Sequence, residues 1–253
     1  MSDKLPVIDV LGTPLAVTSY DELIPHCHEL ARCGGTWAID FTNTQIVTMR
    51  RHEPPFEVLT RSIDLFVPDG MPLVWAMNAK GAKLSDRVYG PTFMRRFLEE
   101  SSPRLTHYLL GGSAECQRRL RQRFPRSQIV GGFHGRCDKD GVLEGMAEQD
   151  IIEEINRLGP DFIWVGLGAP KQYAWIARHK TDLRRGVILA VGFAFDVNAG
   201  TKPDAPAWMQ RRGLTWVFRI ASEPRRLLTR YLKYNSLFLF YLAKDALAPR
   251  RFR

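Results

Sequence analysis

Short apolar runs separated by helical patterns make up most of the chain. The runs that predict buried strands are Trp37–Thr42, Leu65–Val67, His107–Leu110, Ile129–Val130, Phe162–Val165 and Val187–Val191. Turn residues and helix-like stretches follow them, for example at Met71–Ala79, Ser113–Phe124, Met146–Leu158 and Pro170–His179. Apolar strands that alternate with helices are typical of a parallel sheet covered on both faces. We therefore predict an α/β fold with a Rossmann-like, mostly parallel sheet and helices on both faces.

The carboxyl ends of these strands are polar or rich in glycine. They read Asp40-Phe41-Thr42-Asn43, Pro68-Asp69-Gly70, Gly111-Gly112-Ser113, GLGAPKQ (166–172) and GFAFD (192–196). Ligands of open parallel sheets bind at this edge, and glycine turns before helices let a phosphate approach backbone N–H groups. The loops suit a nucleotide diphosphate, although glycine is also common at such turns for steric reasons. No GxGxxG or P-loop lysine pattern supports a dinucleotide or ATP site.

Two acidic motifs are candidates for chemistry. Asp69 follows a predicted strand, where a carboxylate can act as a general base toward a substrate hydroxyl. Pro-Asp-Gly is also strong turn chemistry, and spacing alone favours the turn. The motif Asp138-Lys139-Asp140 resembles a DxD metal clamp, but its flanks Cys137 and Gly141 favour a solvated loop. We therefore predict no metal site.

The net charge of +9 is concentrated in the last part of the chain. Residues 209–253 hold 11 of the 36 basic residues and 2 of the 27 acids, which leaves 25 of each in residues 1–208. The 11 include Arg250, Arg251 and Arg253. A neutral body with a basic tail indicates either an anionic partner for the tail or a solvated surface. We predict a catalytic body at 1–208 and a basic appendage at 209–253.

The appendage has the pattern of an amphipathic helix. Ser222-Glu223-Pro224 predicts its start, with serine as the cap and proline in the first turn. On a helical wheel the basic residues Arg226, Arg230 and Lys233 share one face, and the opposite face carries Leu228, Leu232, Leu239 and Leu242. Basic residues with tyrosine and leucine suit a membrane interface. The alternative is a helix that docks by its leucine stripe and leaves the arginines in solvent.

Cysteine content and hydropathy bear on location. The four cysteines, Cys27, Cys33, Cys116 and Cys137, form no CxxC motif and are too sparse for a disulfide scaffold. The longest apolar run of the tail, Leu237–Ala243, is far shorter than the roughly twenty residues of a spanning helix. The first residues lack the apolar core of a signal peptide. We expect a protein kept in the reducing cytoplasm.

Three segments together resemble the TagA/WecG/CpsF family of bacterial glycosyltransferases (glycosyltransferase family 26). They are VPDGMPLVW (67–75), DFIWVGLGAPKQYAWI (161–176) and the run 191–232 that begins VGFAFDVNAGTKPD. The resemblance extends from about Trp37 to Leu232 and is closest to the exopolysaccharide, xanthan-type β-1,4-glucosyltransferase branch. It implies an inverting enzyme that moves a hexose, glucose in this branch, from a UDP-sugar onto a polyprenyl-diphosphate-linked saccharide. It further implies peripheral attachment to the cytoplasmic face of the inner membrane, with no cofactor.

The resemblance also implies roles for individual residues. The base is the aspartate of the DG motif, here Asp69. The family's pocket further uses the positions of Asn43, Arg87 and Gln172, and its appendage arginines match Arg219 and Arg226 best. From the strand-end loops we add the substrate-binding candidates Thr42, Gly111, Gly112, Lys171 and Asp196. From the basic tail we add Arg225, Arg230 and Lys233 as contacts with the lipid diphosphate or the anionic membrane. The chain departs from the family pattern at Phe41, where threonine is usual, and at Thr92, where aspartate is frequent.

Three other classes compete with this interpretation. A nucleic-acid-binding protein would also be basic, but the chain has no recognised binding motif, so nucleic acid is not an expected partner. A Rossmann oxidoreductase would need GxGxxG with an acidic residue about twenty positions later. A catalytically inactive nucleotide-binding module is compatible with Phe41 and Thr92. A homo-oligomer is compatible with the sequence.

Overall fold

The computed structural model describes residues 5–135, 137–138 and 140–247. Within these residues the strands are β1 (Val7–Val10), β2 (Thr13–Ala16), β3 (Thr36–Thr42), β4 (Leu65–Pro68), β5 (Thr106–Gly111), β6 (Gln128–Phe133), β7 (Phe162–Gly166) and β8 (Gly186–Ala190). They form an eight-stranded sheet in the order β1-β2-β4-β3-β8-β7-β5-β6. Only the β1–β2 pair of this sheet is antiparallel. The prediction of a mostly parallel sheet is confirmed. Lys139, Arg250, Arg251 and Arg253 lie outside the described residues.

Helices follow most of the strands, as predicted. They are α1 (Tyr20–Cys33), α2 (Thr44–His52), α3 (Pro54–Leu59), α4 (Met71–Asn78), α5 (Gly90–Glu100), α6 (Ala114–Arg123), α7 (Glu148–Leu158), α8 (Lys171–His179), α9 (Ala194–Asn198), α10 (Ala207–Arg211), α11 (Thr215–Ser222) and α12 (Pro224–Leu247). A single 3-10 turn, Thr60–Ser62, links α3 to β4 in the described chain. The predicted helices at Met71, Ser113, Met146 and Pro170 agree with α4, α6, α7 and α8 to within two residues.

Both faces of the sheet are covered by apolar side chains. Successive strand residues point to opposite faces, so Ile188 and Leu189 of β8 belong to different clusters. The cluster around Ile188 contains side chains of α2, α7, α8 and α12. The cluster around Leu189 contains side chains of α1, α5, α6 and α9. Helices thus cover the sheet on both sides, which explains why β7 and β8 read as continuous apolar runs.

The first two strands form a hairpin that the sequence pattern does not reveal. Leu11 and Gly12 make its turn with positive φ angles of 54° and 83°, and the backbone N–H of Gly12 donates to the Asp9 carboxylate. Two left-handed residues in a row are what a tight hairpin turn requires. Asp9 pairs with Pro14 across the hairpin, and both residue types are poor strand formers. Because of these two residues, the hydropathy pattern does not predict the hairpin.

The strand order decides which strand ends meet. β4, β3, β8 and β7 are consecutive neighbours, so their carboxyl ends lie side by side, whereas β5 is one place further out. The residues at or just beyond these four ends are Asp69, Asn43, Val191 and Gly166. Asp69 and Asn43 come next to each other, since Thr42 pairs with Pro68 across β3 and β4. Gly111 ends β5, and Gly112 begins the loop after it. Because β5 lies on the side of β7 away from β8, this loop is outside the group of four strand ends.

The appendage begins differently from the prediction. Ser222 is the last residue of α11, its hydroxyl donates to the Phe218 carbonyl, and Glu223 separates it from α12. The predicted serine cap is therefore wrong, while the first-turn position of Pro224 is right. α10 spans the predicted domain boundary at Trp208. That boundary stays a prediction.

The face by which α12 docks is not the leucine stripe. Its buried side chains are Leu227, Tyr231, Tyr234 and Phe238, whereas Leu228, Leu232, Leu239 and Phe240 are exposed. α12 packs on α2 through polar pairs as well: Asn235 accepts from the Thr44 hydroxyl at 2.9 Å, and the Tyr234 hydroxyl donates to Glu53 at 2.7 Å. Of the predicted stripe, Leu242 packs against the core while Leu228, Leu232 and Leu239 are exposed, so docking by the whole leucine stripe is wrong. No helix among the described residues has the length and apolar character needed to cross a membrane.

Candidate active site

Two cavities meet at Asp69, at the carboxyl edge of the sheet. The first, of about 330 Å³, lies over the ends of β3, β7 and β8, and the second, of about 220 Å³, lies between α4, α11 and α12. Asn43, Asp69, Tyr89 and Arg219 line both. A carboxylate at the junction of two cavities can contact a group bound in either one. We refer to the two as the sheet cavity and the appendage cavity.

The Asp69 carboxylate is held in place from the backbone. Its Oδ1 accepts from the N–H of Gly90 at 3.1 Å, and its own N–H donates to the Thr42 carbonyl at 2.7 Å. Burial raises its pKa to about 7, partly offset by Arg87, the Gly90 N–H and Arg219. A carboxyl with a pKa near neutrality is well matched to accept a proton from a hydroxyl. The turn role and the chemical role of Asp69 are thus compatible.

The Arg87 side chain holds the Asp69 loop in place. The residue is 6% exposed, and its guanidinium donates to the Asp69 carbonyl at 3.1 Å and to the Thr215 hydroxyl at 3.0 Å. The same group lies over the ring of Tyr89 at 4.1 Å. Arg87 lines the appendage cavity rather than the sheet cavity. The Arg87 side chain therefore contacts Asp69, the ring of Tyr89 and Thr215 of α11 at the same time.

A second carboxylate, Asp40, lies under the sheet cavity. It is fully buried in β3 and accepts hydrogen bonds from the Thr42 hydroxyl at 2.5 Å, the Tyr173 hydroxyl at 2.8 Å and the Gln172 amide at 3.4 Å. Burial raises its pKa to about 6 against these stabilising donors. Thr42 is fully buried and lines neither cavity in the described structure, so its predicted contact with substrate is replaced by one with Asp40.

The loop after β7 forms one wall of the sheet cavity. Lys171 and Gln172 both line it, as predicted. The Lys171 ammonium donates to the carbonyl of Cys137, which ties the wall to the loop after β6. In that loop Asp138 accepts from the N–H groups of Asp140 and Val142, the pattern of a self-contained turn. The interpretation of Asp138 as a turn residue agrees with this geometry.

Gly111 and Gly112 reach neither cavity in the described structure. A Cβ at Gly111 would meet Leu167 at 2.8 Å, and a Cβ at Gly112 would meet the Phe195 ring at 3.1 Å. These two side chains therefore separate the β5 loop from the cavity, because β7 lies between β5 and β8 in the sheet. The predicted phosphate contact of Gly111 and Gly112 has no support in the geometry.

A chain of charged groups joins the body to the appendage beside the sheet cavity. Asp196, which lines the cavity as predicted, accepts from the Thr201 hydroxyl and lies 3.5 Å from the Lys202 ammonium. Lys202 also contacts Glu223 at 3.0 Å, and Glu223 contacts Arg226 at 2.5 Å. Hydrogen bonds from Arg226 are the main reason that the pKa of Glu223 falls to about 2. Glu223 stays ionised at neutral pH and anchors the start of α12.

Three of the five predicted arginines and lysines of the appendage line the sheet cavity: Arg219, Arg226 and Arg230. Arg219 stacks on the Phe193 ring at 4.1 Å. The Nε atoms of Arg219 and Arg230 are buried and have no hydrogen-bond partner within the described residues. Burial also lowers the pKa of Arg230. Arg225 and Lys233 lie outside both cavities of the described structure, with Lys233 3.5 Å from Glu53.

Sequence reasoning missed Asp40, Tyr89 and Lys202. Tyr89 lines both cavities and donates to Asp204 at 2.7 Å. Asp40 stands in a quoted strand-end motif, and an acid inside an otherwise apolar strand is itself a signal of a buried, functional carboxylate. Phe41, the departure from the family pattern, lines the sheet cavity and packs on Phe93 at 4.7 Å.

Comparisons with known proteins show the family of the chain. The sequence profile of the Glycosyl transferase WecG/TagA/CpsF family matches residues 8–252. Similar proteins include those of Staphylococcus aureus strains MW2 and NCTC 8325 / PS 47, each 27% identical over 246 residues, which is 94% of this chain and 92% of the relative. Both relatives are named N-acetylglucosaminyldiphosphoundecaprenol N-acetyl-beta-D-mannosaminyltransferase. The match extends beyond the segment 37–232 that carries the motifs.

Proposed function

The chain belongs to the WecG/TagA/CpsF family of glycosyl transferases, and on that premise we propose a specific reaction for it. It transfers a hexose, glucose, from a UDP-sugar onto a polyprenyl-diphosphate-linked saccharide, with inversion at the anomeric carbon. The reaction takes place at the cytoplasmic face of the inner membrane and serves exopolysaccharide synthesis. The observation that carries this proposal is the meeting of two cavities at Asp69.

The sheet cavity fits the UDP-sugar donor. It occupies the edge where open parallel sheets bind nucleotides, and its wall includes the glycine-rich loop after β7. Arg219, Arg226 and Arg230 place guanidinium groups over it, which suits a diphosphate. A cavity of about 330 Å³ is within the usual range for small-molecule sites, roughly 300–1,000 Å³.

The appendage cavity fits the acceptor. Its lining is mainly apolar, with Met71, Pro72, Trp216, Phe238 and Leu239 among its residues. Exposed apolar side chains lie at its wall: Leu239, which lines it, is 66% exposed, and a Cβ at Gly213 would lie 3.1 Å from Trp75, which is 53% exposed. A lipid-linked saccharide can thus approach from the membrane side with its sugar toward Asp69. The relatives act, by their names, on N-acetylglucosaminyldiphosphoundecaprenol, an acceptor of this kind.

Asp69 is the general base of the reaction. It accepts the proton of the acceptor hydroxyl as that oxygen attacks the anomeric carbon from the face opposite UDP. The C–O bond to the new saccharide forms while the bond to the β-phosphate breaks, and UDP leaves with the electron pair. One base is enough for this single in-line displacement. The product has the inverted, β configuration.

Arginines of the appendage stabilise the leaving group. Negative charge develops on the β-phosphate as the bond to the sugar breaks, and fixed donors in a water-poor site stabilise such charge strongly. Arg219 is the best placed, since it lines both cavities and its Nε lacks a partner in the described structure. Lys202, already in an ionic chain with Glu223, holds the appendage in position.

The exposed side of α12 is the membrane-binding surface of the proposal. Leu228, Leu232, Leu239 and Phe240 are exposed together, with Leu239 at 66%. Arg225 and Lys233 lie near them and contribute attraction to anionic lipids, about 1 kcal/mol for each basic side chain. A surface with apolar side chains at its centre and cations at its rim is typical of interfacial helices.

The test is a transfer assay with defined substrates. Purified protein is incubated with a synthetic polyprenyl-diphosphate-linked saccharide and, in separate reactions, UDP-glucose, UDP-N-acetylglucosamine and UDP-N-acetylmannosamine. Mass spectrometry identifies the product, and NMR assigns its anomeric configuration. We expect a β-linked product with UDP-glucose that is absent with Asp69→Asn.

Two results would contradict the proposal in different ways. Transfer of N-acetylmannosamine instead would assign this chain the donor specificity named in its relatives. Binding of UDP without transfer to any acceptor would favour the inactive nucleotide-binding module.

A further inference from the structure

The amide of Gln172 is held in one orientation by its neighbour Asp40. Asp40 is fully buried and accepts from the hydroxyls of Thr42 and Tyr173. An ionised carboxylate has no hydrogen to donate, so the end of the amide that faces it, at 3.4 Å, is the NH₂ group. The pKa of Asp40, about 6, leaves it ionised at pH 8. The carbonyl end of Gln172 must therefore point away from Asp40.

That carbonyl oxygen is an unused acceptor at the sheet cavity. Gln172 is 5% exposed, and its Oε1 is buried without a hydrogen-bond partner in the described part of the chain. Both Gln172 and Gly192 line the cavity, and Oε1 would lie 3.3 Å from a Cβ at Gly192. Leaving a buried acceptor unpaired destabilises the folded protein. A ligand with a hydrogen-bond donor at this point would remove that destabilisation.

The Gln172 amide cannot easily turn so that its NH₂ group faces the cavity. Rotation by 180° would place Oε1 against the carboxylate of Asp40, two acceptors in contact in a buried site. The Tyr173 hydroxyl already donates to the same carboxylate oxygen at 2.8 Å, so the carboxylate has no freedom to turn. The cavity thus presents an acceptor here and no donor.

We propose that Asp40 is a positioning residue that fixes Gln172 as an acceptor, and that this acceptor binds an N–H or O–H group of the sugar nucleotide. The inference rests on the proposed function, because it takes a UDP-sugar as the ligand of the sheet cavity. Three kinds of group in a UDP-sugar have the required chemistry: the N3–H of uracil, a ribose hydroxyl and a hydroxyl of the transferred sugar. All are donors, and Gln172 discriminates against ligands that lack the donor.

The first experiment removes the acceptor. Isothermal titration calorimetry at pH 8 measures the Kd of UDP, N3-methyl-UDP and UDP-glucose for the native protein and for Gln172→Met. We expect Gln172→Met to weaken UDP-glucose about tenfold, as the loss of one buried hydrogen bond predicts. The matched control is Gln117→Met, which removes another buried glutamine whose amide donates to carbonyls of β5 and β6 outside both cavities. The control should lose thermal stability but keep the native Kd.

The ligand series identifies which donor is bound. If it is the uracil N–H, Gln172→Met weakens UDP as much as UDP-glucose, and N3-methyl-UDP binds the native protein about tenfold less tightly than UDP. If it is a ribose hydroxyl, Gln172→Met weakens UDP and UDP-glucose alike, and N3-methyl-UDP binds the native protein as tightly as UDP does. If it is a hydroxyl of the transferred glucose, UDP binds both proteins alike and only UDP-glucose is weakened. Each of these patterns supports the acceptor role of Gln172.

The second experiment tests the role of Asp40 by exchanging the pair. Gln172→Glu places two carboxylates in contact and should weaken UDP-glucose at least tenfold. Adding Asp40→Asn restores a donor–acceptor pair, since the introduced amide donates to the introduced carboxylate, whose second oxygen still faces the cavity. The double variant should bind within about threefold of the native protein.

The outcomes separate this inference from the proposed function. If the native protein binds none of the UDP ligands, the proposed donor is wrong and the inference falls with it. If the native protein binds them and Gln172→Met binds equally well, the proposed function stands and the acceptor role is wrong. If Gln172→Glu is weakened and Asp40→Asn brings no recovery, Asp40 does not position Gln172.

Discussion

The body and the appendage contribute opposite charges to the same site. The body supplies two carboxyls, Asp69 and Asp40, whose pKa values burial raises to about 7 and about 6. The appendage supplies arginines, of which Arg230 has its pKa lowered by burial. Burial disfavours the charged form of each group. The pKa of Asp69 is lowered by Arg87 of the body and, to a smaller extent, by Arg219 of the appendage, so the two regions interact electrostatically at this carboxyl.

The two regions also differ in how the charged side chains beside the cavities are paired. In the body, Asp40 accepts three hydrogen bonds and Asp69 is fixed by the Gly90 N–H. In the appendage, the Nε atoms of Arg219 and Arg230 have no partner among the described residues. Fixed groups are suited to orient reactants, while unpaired cations are suited to meet an anion that arrives with the substrate. The difference points to a preorganised body and an appendage completed by its ligand.

The largest effect on the rate of transfer should come from replacing the carboxylate that the body supplies. Asp69→Asn removes the base while keeping the shape and the hydrogen bond from Gly90, so we expect transfer to fall about 10³-fold or more. Binding of UDP should change little. The rate is measured with UDP-glucose and a lipid-linked acceptor, and UDP binding by calorimetry. A variant with near-native transfer would show that another group is the base.

The same variant makes a prediction for stability. Folding raises the pKa of Asp69 from 3.8 to about 7, so the folded state holds this proton more tightly than the unfolded state. Its contribution is complete below pH 3.8 and is lost as the pH rises through 7. Asparagine carries no charge, so Asp69→Asn should raise the unfolding midpoint at pH 8 and not at pH 4. Thermal melts at the two pH values measure this difference.

Replacing an arginine that the appendage supplies should have the next largest effect on the rate. Arg219→Met keeps an apolar contact with Phe193 and removes the cation shared by the two cavities, so kcat should fall about 10²-fold. Arg225→Met is the matched control, because Arg225 lines neither cavity in the described structure. Steady-state kinetics on soluble, short-chain acceptors measures both variants without the membrane. Equal losses for the two would mean that only the net charge of the appendage matters.

The sequence predicts the body better than the appendage, for a physical reason. β7 and β8 agree with their predicted strands to within a residue, because burial on both faces leaves a continuous apolar run. Asp69, Asn43 and Gln172 reach the cavity because strand ends are where ligands bind. Gly111 and Gly112 do not, because strand order is set by packing that a linear pattern does not contain.

Partners distant in sequence account for most of the remaining differences. An acid in an apolar strand indicates that Asp40 is buried, but Asp40 and Tyr173 are 133 residues apart, so the strand motif does not reveal the side chains that it contacts. In α12 the wheel leaves docking by the leucines open as an alternative, but α2 and the residue after it present Thr44 and Glu53. Tyrosines bury their rings and pair their hydroxyls with such groups, which leaves the leucines outside.

The outward face of α12 provides a third test of the difference between the body and the appendage. Leu232→Glu with Leu239→Glu removes two exposed apolar side chains and adds negative charge, so binding to anionic vesicles should weaken about thirtyfold. Sedimentation with phosphatidylglycerol vesicles measures the effect. The matched control is Val7→Glu with Val58→Glu, which changes two exposed valines of the body. Melting temperature and UDP binding should stay native in both. Undiminished vesicle binding would mean that α12 does not carry the membrane contact.

The smallest effect is a dependence on pH that sharpens the role of Asp69. The ionised carboxylate is the active base, so a pKa of about 7 predicts that kcat/KM rises about tenfold between pH 6 and pH 8 and levels off above. An ordinary aspartate would give a flat profile in this range. Asp40, Arg87 and Arg219 face Asp69 and set its pKa, with Asp40 acting to raise it. Asp40→Asn should therefore move the rise to lower pH without abolishing it. Burial is the main reason for the raised pKa of Asp69, so the shift on Asp40→Asn should be small. A profile that is flat between pH 6 and pH 8 in the native protein would mean that Asp69 is not the titrating base.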